Sequence, residues 1–366
     1  MRGKNYGLLI AGGGLAGSLA ALAMARLRPE VPILFVSETE RFGGERTLLL
    51  ADEGLSDEER RFAAPLIEKS WDAHYVALPG KSRKLKLRCH AITPERVDSA
   101  LRDALRPEQY MVDARIVAVR GTSLLLHGGE SVAGDGALDA RSWAYQTVLE
   151  LGWRKTLGRL YSFKAPHRVD LPVTVDRTLE RDGSGGYFAC VPFDDRRLLV
   201  ERVDFASAPE PDEAAAGARI DDYVARRGWS GRKFVSTESS AEPIALGGDF
   251  SAYWRIGGAR VAKLGARGGF FHPVTGSPLP EALHTALLLT RQRDFSGEAL
   301  HDLFESEALA LWRRREFHRG FNRLLLQSGG RALDGLYGLD APVIARFFGG
   351  EPGLFERRKI MAAAGG

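Results

Sequence analysis

An α/β fold is predicted by three observations. Residues 6–26, YGLLIAGGGLAGSLAALAMAR, run from an apolar strand through a glycine turn into an alanine-rich helix, and VPILFVSE at 31–38 supplies the next strand. Between 152 and 240 the pattern changes to strands joined by turns, and beyond residue 300 the apolar residues recur at helical intervals. Together these describe a Rossmann-type dinucleotide-binding core, an inserted antiparallel β-sheet and a helical C-terminal segment.

In the opening unit Gly12, Gly14 and Gly17 fit G-x-G-x-x-G, with Leu15 and Ala16 at the start of the helix. Such glycines permit a tight turn, the approach of a pyrophosphate to backbone N–H groups and close helix packing. The alternative is a glycine-rich turn without a ligand. An acidic side chain for the adenosine ribose is expected roughly 20 positions further on. Glu38 lies at that distance, with Ser37 beside it as the competing position. RFGGERT at 41–47 adds a second glycine pair near where a cofactor would extend, with Arg46 in reach of it; a plain turn explains the pair equally well.

Residues 54–80 form an excursion, an acidic helical piece SDEERRFAAPLIEKSW followed by the short strand HYVAL. ITPERVDSALRDAL, from residue 92, has Thr93 as N-cap, Pro94 in the first turn and apolar residues at helical spacing. The strand-like pieces ARIVAVR and SLLLHG follow, then GALDARSW, in which Asp139 and Arg141 end an apolar run. RVDLPVTVDRTL, GYFACVPF and RLLVERVDFA read as strands of the inserted sheet, with one helix around 212–227, an arrangement that roofs a substrate pocket over a bound cofactor. VAKLGARGGFFHPVTGSPLPEALHTALLL, 261–289, returns to strand, glycine loop and helix, and the closing AAAGG is expected to fray. The expected division is a core of residues 1–53, 85–150 and 241–300, an inserted substrate-binding sheet of 54–84 and 151–240, and a helical segment of 301–366.

With 366 residues, 44% hydrophobic and 27% charged, the chain has the make-up of a soluble globular protein with a full core. Cys89 and Cys190 form neither a CxxC nor a ligand cluster, so no disulfide framework or metal site is expected. A net charge of +4 is too small and scattered to argue for nucleic acid. No stretch is long and apolar enough to span a bilayer, and the first strand begins almost at once, which sets the expectation of a cytoplasmic protein.

The stretch RLLVERVDFA, 197–206, sets a carboxylate into a strand. Alternation puts Glu201 on one face with Leu199, Val203 and Phe205, and Arg202 and Asp204 on the other. A glutamate on so apolar a face is either a buried charge relieved by a partner or an acid whose pKa is raised until it keeps its proton. The second would be a general acid.

GGGLAG at the front, VDRTL in the sheet, RLLVERVDFA after it and GARGGFFHPVTGSPLP before the terminal helices give the chain a pattern that resembles the bacterial lycopene β-cyclases. APLIEKSW, LDAR, FHRGFNRLLL and RFFGG extend the resemblance over nearly the whole length. It implies a flavoprotein that binds FAD and requires it reduced, with NAD(P)H as the reductant. The implied reaction is a non-redox, acid-catalysed cyclisation of the linear ends of lycopene to β-ionone rings, in carotenoid biosynthesis. Glu201 aligns with the family's glutamate and is implied as the proton donor or the group that shapes the donor's field. The loop Arg267 to Gly276 resembles the flavin-proximal loop, with Gly269 and Gly276 as close-approach positions and His272 as a polar flavin contact, a base or a structural residue. Asp176 matches a family aspartate in the substrate sheet, either near the pocket or capping a turn.

Because lycopene resides in the bilayer, the resemblance also implies a peripheral position on the inner face of the membrane. ALALWRRREFHRGFNRLLL places Phe317, Phe321, Leu324 and Leu325 among arginines, which suits a helix lying at a membrane surface and equally a core-facing helix with a basic solvent side. Arg202 stands where the family has an acidic residue, RTLLLA (46–51) where it has a polar and aromatic segment, and Ser277 where it has a tyrosine. Two other classes compete: an FAD-dependent monooxygenase or oxidoreductase acting on an apolar substrate, and an inactive flavin- or carotenoid-binding paralogue. GARGG in place of the Gly-Asp pair of flavin hydroxylases, together with Glu201, separates the cyclase from the first of these.

Overall fold

The computed structural model describes residues 6–143, 148–179, 185–256, 260–328, 330–349 and 352–365. Strands Tyr6–Ala11 and Ile33–Val36 are parallel and joined by helix Leu15–Leu27, and Ser131–Asp139 flanks Tyr6–Ala11 in parallel on its other side. Every residue of Tyr6–Ala11 is buried, as in a central parallel strand covered on both faces. Tyr110–Met111 extends one edge of this sheet, and a hairpin of Ile116–Arg120 and Ser123–Leu126 the other. Ala262–Lys263 returns late in the chain to pair with the end of Ser131–Asp139. Helix Pro94–Ala104 starts as expected, with the Thr93 hydroxyl accepting from the Arg96 N–H at 3.3 Å.

A second sheet of seven strands runs in the order Arg232–Gly248, Leu149–Phe163, Arg197–Ala206, Tyr187–Pro192, Val173–Asp176, His74–Leu78, Lys81–Leu85. It is antiparallel except where Val173–Asp176 lies parallel to His74–Leu78. Leu48–Ala51, Cys89–Ile92 and Ile67–Trp71 form a small third sheet.

The acidic piece at 56–71 is helical only at its start. Ser56 caps helix Asp57–Ala63 through a capping box with Glu59, Pro65 ends the helical run in a short 3-10 turn, and Ile67–Trp71 is a strand. Of residues 54–84, then, only those from His74 onward enter the large sheet. Strand Arg232–Gly248 also crosses the expected boundary at 240/241, so residues 241–248 belong to that sheet. Of the expected core, residues 1–5, 144–147 and 257–259 lie outside the described residues.

The C-terminal part is helical, as expected, and its last helix continues through the AAAGG stretch to Gly365. Helix Glu316–Gln327 turns Phe321 and Leu325 inward, both fully buried, with Phe317 and Leu324 packed on the same cluster. Asn322 Nδ2 donates to the carbonyls of Ala245 at 2.8 Å and Pro273 at 2.5 Å, clipping this helix to the large sheet and to the glycine loop. The core-facing reading of this helix therefore replaces the membrane-surface one, because its apolar stripe is already covered by protein. Trp312 stacks on Phe250 at 4.6 Å, and the Arg319 guanidinium lies over the Trp312 ring at 4.2 Å.

Candidate active site

The large sheet offers one face to a cavity between it, the segment around Arg46–Ala51 and the C-terminal helices. Strand register brings the side chains of that face into rows. Ala189, Glu201, Gly158 and Glu238 form one; Tyr187, Val203, Thr156 and Ser240 the next; Phe205, Arg154 and Glu242 a third. The cavity is walled by Leu48, Leu49, Ala189, Val191, Ile344 and Phe348, and Arg46, Arg154, Tyr187, Glu201, His272 and Tyr337 project into it.

Glu201 is 6% exposed, and its Oε1 is buried with no hydrogen-bond partner among the described residues. Burial pushes its carboxyl up, opposed by Arg46 and Arg154 and assisted by Glu242. The two arginines are otherwise engaged: Arg46 Nε lies 2.5 Å from Glu242, and Arg154 reaches Glu242 at 3.3 Å, the Thr156 hydroxyl at 2.8 Å and the Tyr187 hydroxyl at 3.3 Å. Glu242 thus absorbs much of their charge, and an ionised Glu201 would be left without a direct counter-ion. Arg202, the positive neighbour in sequence, turns to the opposite face as alternation requires, pairs with Asp204 at 2.6 Å and lies 4.9 Å over the Phe188 ring.

His272 lines the cavity, but its Nδ1 accepts from the N–H groups of Val274 at 3.3 Å and Thr275 at 3.2 Å, which assigns its proton to Nε2. Burial, and then the positive field of Arg315 and His318, hold it well below the usual histidine range. With its lone pair occupied and the Phe347 carbonyl beside its other nitrogen, it is a poor base. Asp176 is not a cavity residue. It is fully buried, its Oδ1 accepts from the backbone and hydroxyl of Thr178 at 2.9 and 2.6 Å, and its Oδ2 accepts from Tyr223 at 2.8 Å and from Arg227. Its Oδ1 is spent on the turn at Thr178 and its Oδ2 on tying helix Glu213–Arg226 to the sheet, so its expected catalytic role gives way to a structural one.

The glycine turn is built for close approach. Gly12 has φ +115°, and a Cβ there would meet the Ala140 carbonyl at 2.6 Å; one on Gly17 would stand 2.0 Å from the Gly12 carbonyl oxygen. A Cβ on Gly14 would meet nothing, and helix Leu15–Leu27 begins there with no side-chain cap and no acidic residue in its first turn. Uncapped N–H groups of Leu15, Ala16 and Gly17 beside open space suit a phosphate. Ser37 is folded beneath the loop, donating to the Thr39 carbonyl at 2.8 Å, whereas Glu38 is exposed with one oxygen on the Ile116 N–H at 2.9 Å.

Gly269 and Gly276 have φ of +79° and +65°, yet the neighbours they admit are protein: Phe250 at 2.6 Å and Glu242 at 2.5 Å from a notional Cβ. Their expected approach to a cofactor is thus an approach to side chains. Gly265, whose notional Cβ meets only Ala16 at 2.8 Å, is the loop glycine next to the helix start. Arg46, expected at the cofactor, lies in the cavity beside Glu201.

Sequence reasoning missed Thr47, Arg154, Gly158, Glu238 and Glu242. Glu238 and Glu242 share strand parity, but the strand carrying them is mostly exposed or half-buried and shows no clean alternation. Both cysteines are free and buried, Cys89 in the cavity wall.

A family profile described as "Lycopene cyclase protein" matches residues 7–362. A lycopene beta-cyclase of Pantoea ananas is 29% identical over 363 residues, covering 98% of this chain and 94% of that protein, and one of Pseudescherichia vulneris is 29% identical over 359 residues, covering 97% and 92%. Among solved structures, a geranylgeranyl bacteriochlorophyll reductase-like protein of Thermoplasma acidophilum superposes with a TM-score of 0.61 at 13% identity, covering 98% of this chain and 96% of that one. The myxobacterial chondrochloren halogenase CndH, a variant of the FAD-dependent halogenases, gives 0.56 at 16% identity, with 99% and 97% covered. These two likenesses establish the fold.

Proposed function

The chain belongs to the lycopene cyclase protein family, and from that premise we propose that it closes the linear ends of lycopene into β-ionone rings with Glu201 as the proton donor. The observation that carries this reading is the buried Oε1 of Glu201, without a hydrogen-bond partner among the described residues, in an apolar-walled cavity. An unactivated alkene needs a strong acid held away from water. The Glu201 proton adds to the terminal double bond and leaves a tertiary cation, a neighbouring double bond attacks it to close the ring, and a ring proton departs. No electrons are gained or lost overall, and the product is an isomer. Rings of Tyr187, Tyr337 and Phe348 line the cavity and favour positive charge that develops there.

FAD fits the uncapped helix start at Gly14, with Gly12 and Gly17 allowing the approach and Glu38 as the ribose partner. In its reduced form it supplies an electron-rich ring that favours nearby positive charge, and NAD(P)H is the reductant we assign. Among the described residues no helix is long and apolar enough to cross a membrane. The exposed Leu354 and Phe355, 77% and 80% accessible and followed by Arg357, Arg358 and Lys359, are where we place a peripheral contact with the inner face of the membrane.

Expression in bacterial cells that accumulate lycopene, followed by chromatography of the pigments, tests the reading. Conversion to γ- or β-carotene is expected. Unchanged lycopene beside folded, flavin-loaded protein would leave a binding role, and an oxygen-bearing product would point to an oxygenase.

A further inference from the structure

Glu201 is not the only carboxyl group on its row of the large sheet. Across strand Leu149–Phe163, Gly158 pairs with Glu201 on one side and with Glu238 on the other. A Cβ on Gly158 would stand 3.5 Å from Glu201 Cγ and 3.6 Å from Glu238 Cβ, so the position without a side chain lies between two carboxyl groups. Its φ is not in the left-handed region, which leaves this spacing, and not backbone freedom, as the local reason for glycine. Glu238 is held from the far side by Thr47, whose N–H reaches Oε2 at 2.8 Å and whose hydroxyl reaches Oε1 at 2.9 Å. Both carboxylate oxygens of Glu238 therefore receive a donor, while Oε1 of Glu201 receives none among the described residues.

We propose that Glu238 is a positioning residue for the proton of Glu201: the two carboxyl groups face each other across Gly158 and hold one proton between them, with Thr47 fixing the anion on Glu238 and so the proton on Glu201. This rests on the cyclisation proposed above. Two like charges at such separation resist ionising together, so the proton stays with the member that has no donors of its own. When Glu201 protonates the alkene its O–H bond breaks and the alkene gains the C–H bond, so the pair becomes doubly anionic while the substrate is cationic. When the ring proton leaves, the pair takes it back and its single proton is restored.

The charged or titratable groups facing the pair are Arg46, Arg154, Glu242, Tyr187, Tyr337 and His272, and the cavity's other titratable lining is Glu53, His74, Arg88 and Cys89. Of these, Arg46 and Arg154 work against a held proton and are tied to Glu242. Burial first, and the neighbouring Glu201, push the Glu238 carboxyl up to about 7 despite the two Thr47 donors.

An infrared pH titration of the protonated-carboxyl stretch in the flavin-loaded protein, run beside the pH dependence of lycopene cyclisation, tests the pair. Glu238→Gln removes the facing anion, so Glu201 should lose its proton at a pH lower by about one unit or more, and the alkaline limb of the activity should move down with it. Thr47→Val, which leaves both carboxyls in place, should shift the proton toward Glu238 and slow cyclisation while the stretch persists. If Glu238→Gln titrates as the wild type does, or Thr47→Val leaves the rate untouched, the pairing is wrong. Coupled titration in a protein that leaves lycopene unchanged would preserve the pair and overturn the assigned reaction. Cyclisation with uncoupled titrations would do the reverse.

Discussion

Glu201 owes its chemistry to what its neighbours lack. Gly158 beside it offers no side chain, its Oε1 meets no donor among the described residues, and the arginines within reach are shared with Glu242. Gly158→Ala probes this at a modest steric cost, since the added methyl would press on Leu199 Cδ1 at 3.1 Å and meet the two glutamates at ordinary contact distance. The fold should survive with a melting temperature lowered by a few degrees at most, while the cyclisation rate drops by about tenfold or more as the carboxyls are separated. An unchanged rate would show that the gap between them is incidental. Asp176 predicts the opposite profile. Asp176→Asn replaces an acceptor that Tyr223, Arg227 and Thr178 all use and should cost about 1–3 kcal/mol in denaturant unfolding, with flavin binding and cyclisation retained in the folded protein. The face of Glu201 was legible from alternation alone. The surroundings of Asp176 and Gly276 were not, because their partners Tyr223, Arg227 and Glu242 lie 34 to 51 positions away in the chain.

Elements with strong local signals matched the sequence: the βαβ opening, helix Pro94–Ala104 with its Thr93 cap, and strand Arg197–Ala206. The two longest strands, Leu149–Phe163 and Arg232–Gly248, left weak signals. Gly152 and Gly158 interrupt the first, and most of the second is exposed or half-buried, so neither shows a period-two pattern. They nevertheless supply Arg154, Gly158, Glu238 and Glu242, which is why half the site was invisible. Helix Glu316–Gln327 illustrates the converse: its spacing was plain, but only tertiary packing decides whether an apolar stripe meets lipid or protein. Asn322→Leu should cost about 2 kcal/mol or more in urea unfolding, because the carbonyls of Ala245 and Pro273 lose a shared buried donor. A loss of only about a few tenths of a kcal/mol would mean the clip contributes little.

At the scale of the whole molecule, a parallel sheet with an uncapped helix start stands against a large antiparallel sheet whose cavity holds the acid, and the fold class was readable from the order of the elements. Gly17→Ala should give folded protein with little or no bound flavin, since its methyl would fall 2.0 Å from the Gly12 carbonyl oxygen; full flavin loading by absorbance would contradict the assigned cofactor site. Stability should also depend on pH through the buried acids. Burial raises both acids, Glu238 from 4.5 to about 7, so the folded pair binds more protons than the unfolded groups do, one held above about 7 and a second taken up below it. The stability attached to those protons is fully present below about 4.5 and is lost as pH rises through about 7, so the melting temperature should fall over that window, and less steeply in Glu238→Gln. The central claim is proton donation by Glu201 without net redox change, and cyclisation of lycopene in heavy water with mass analysis of the product addresses it most directly. The account predicts one deuterium for each ring closed and no ring formation by a folded, flavin-loaded Glu201→Gln protein. Rings formed without deuterium, or formed equally well by Glu201→Gln, would contradict it.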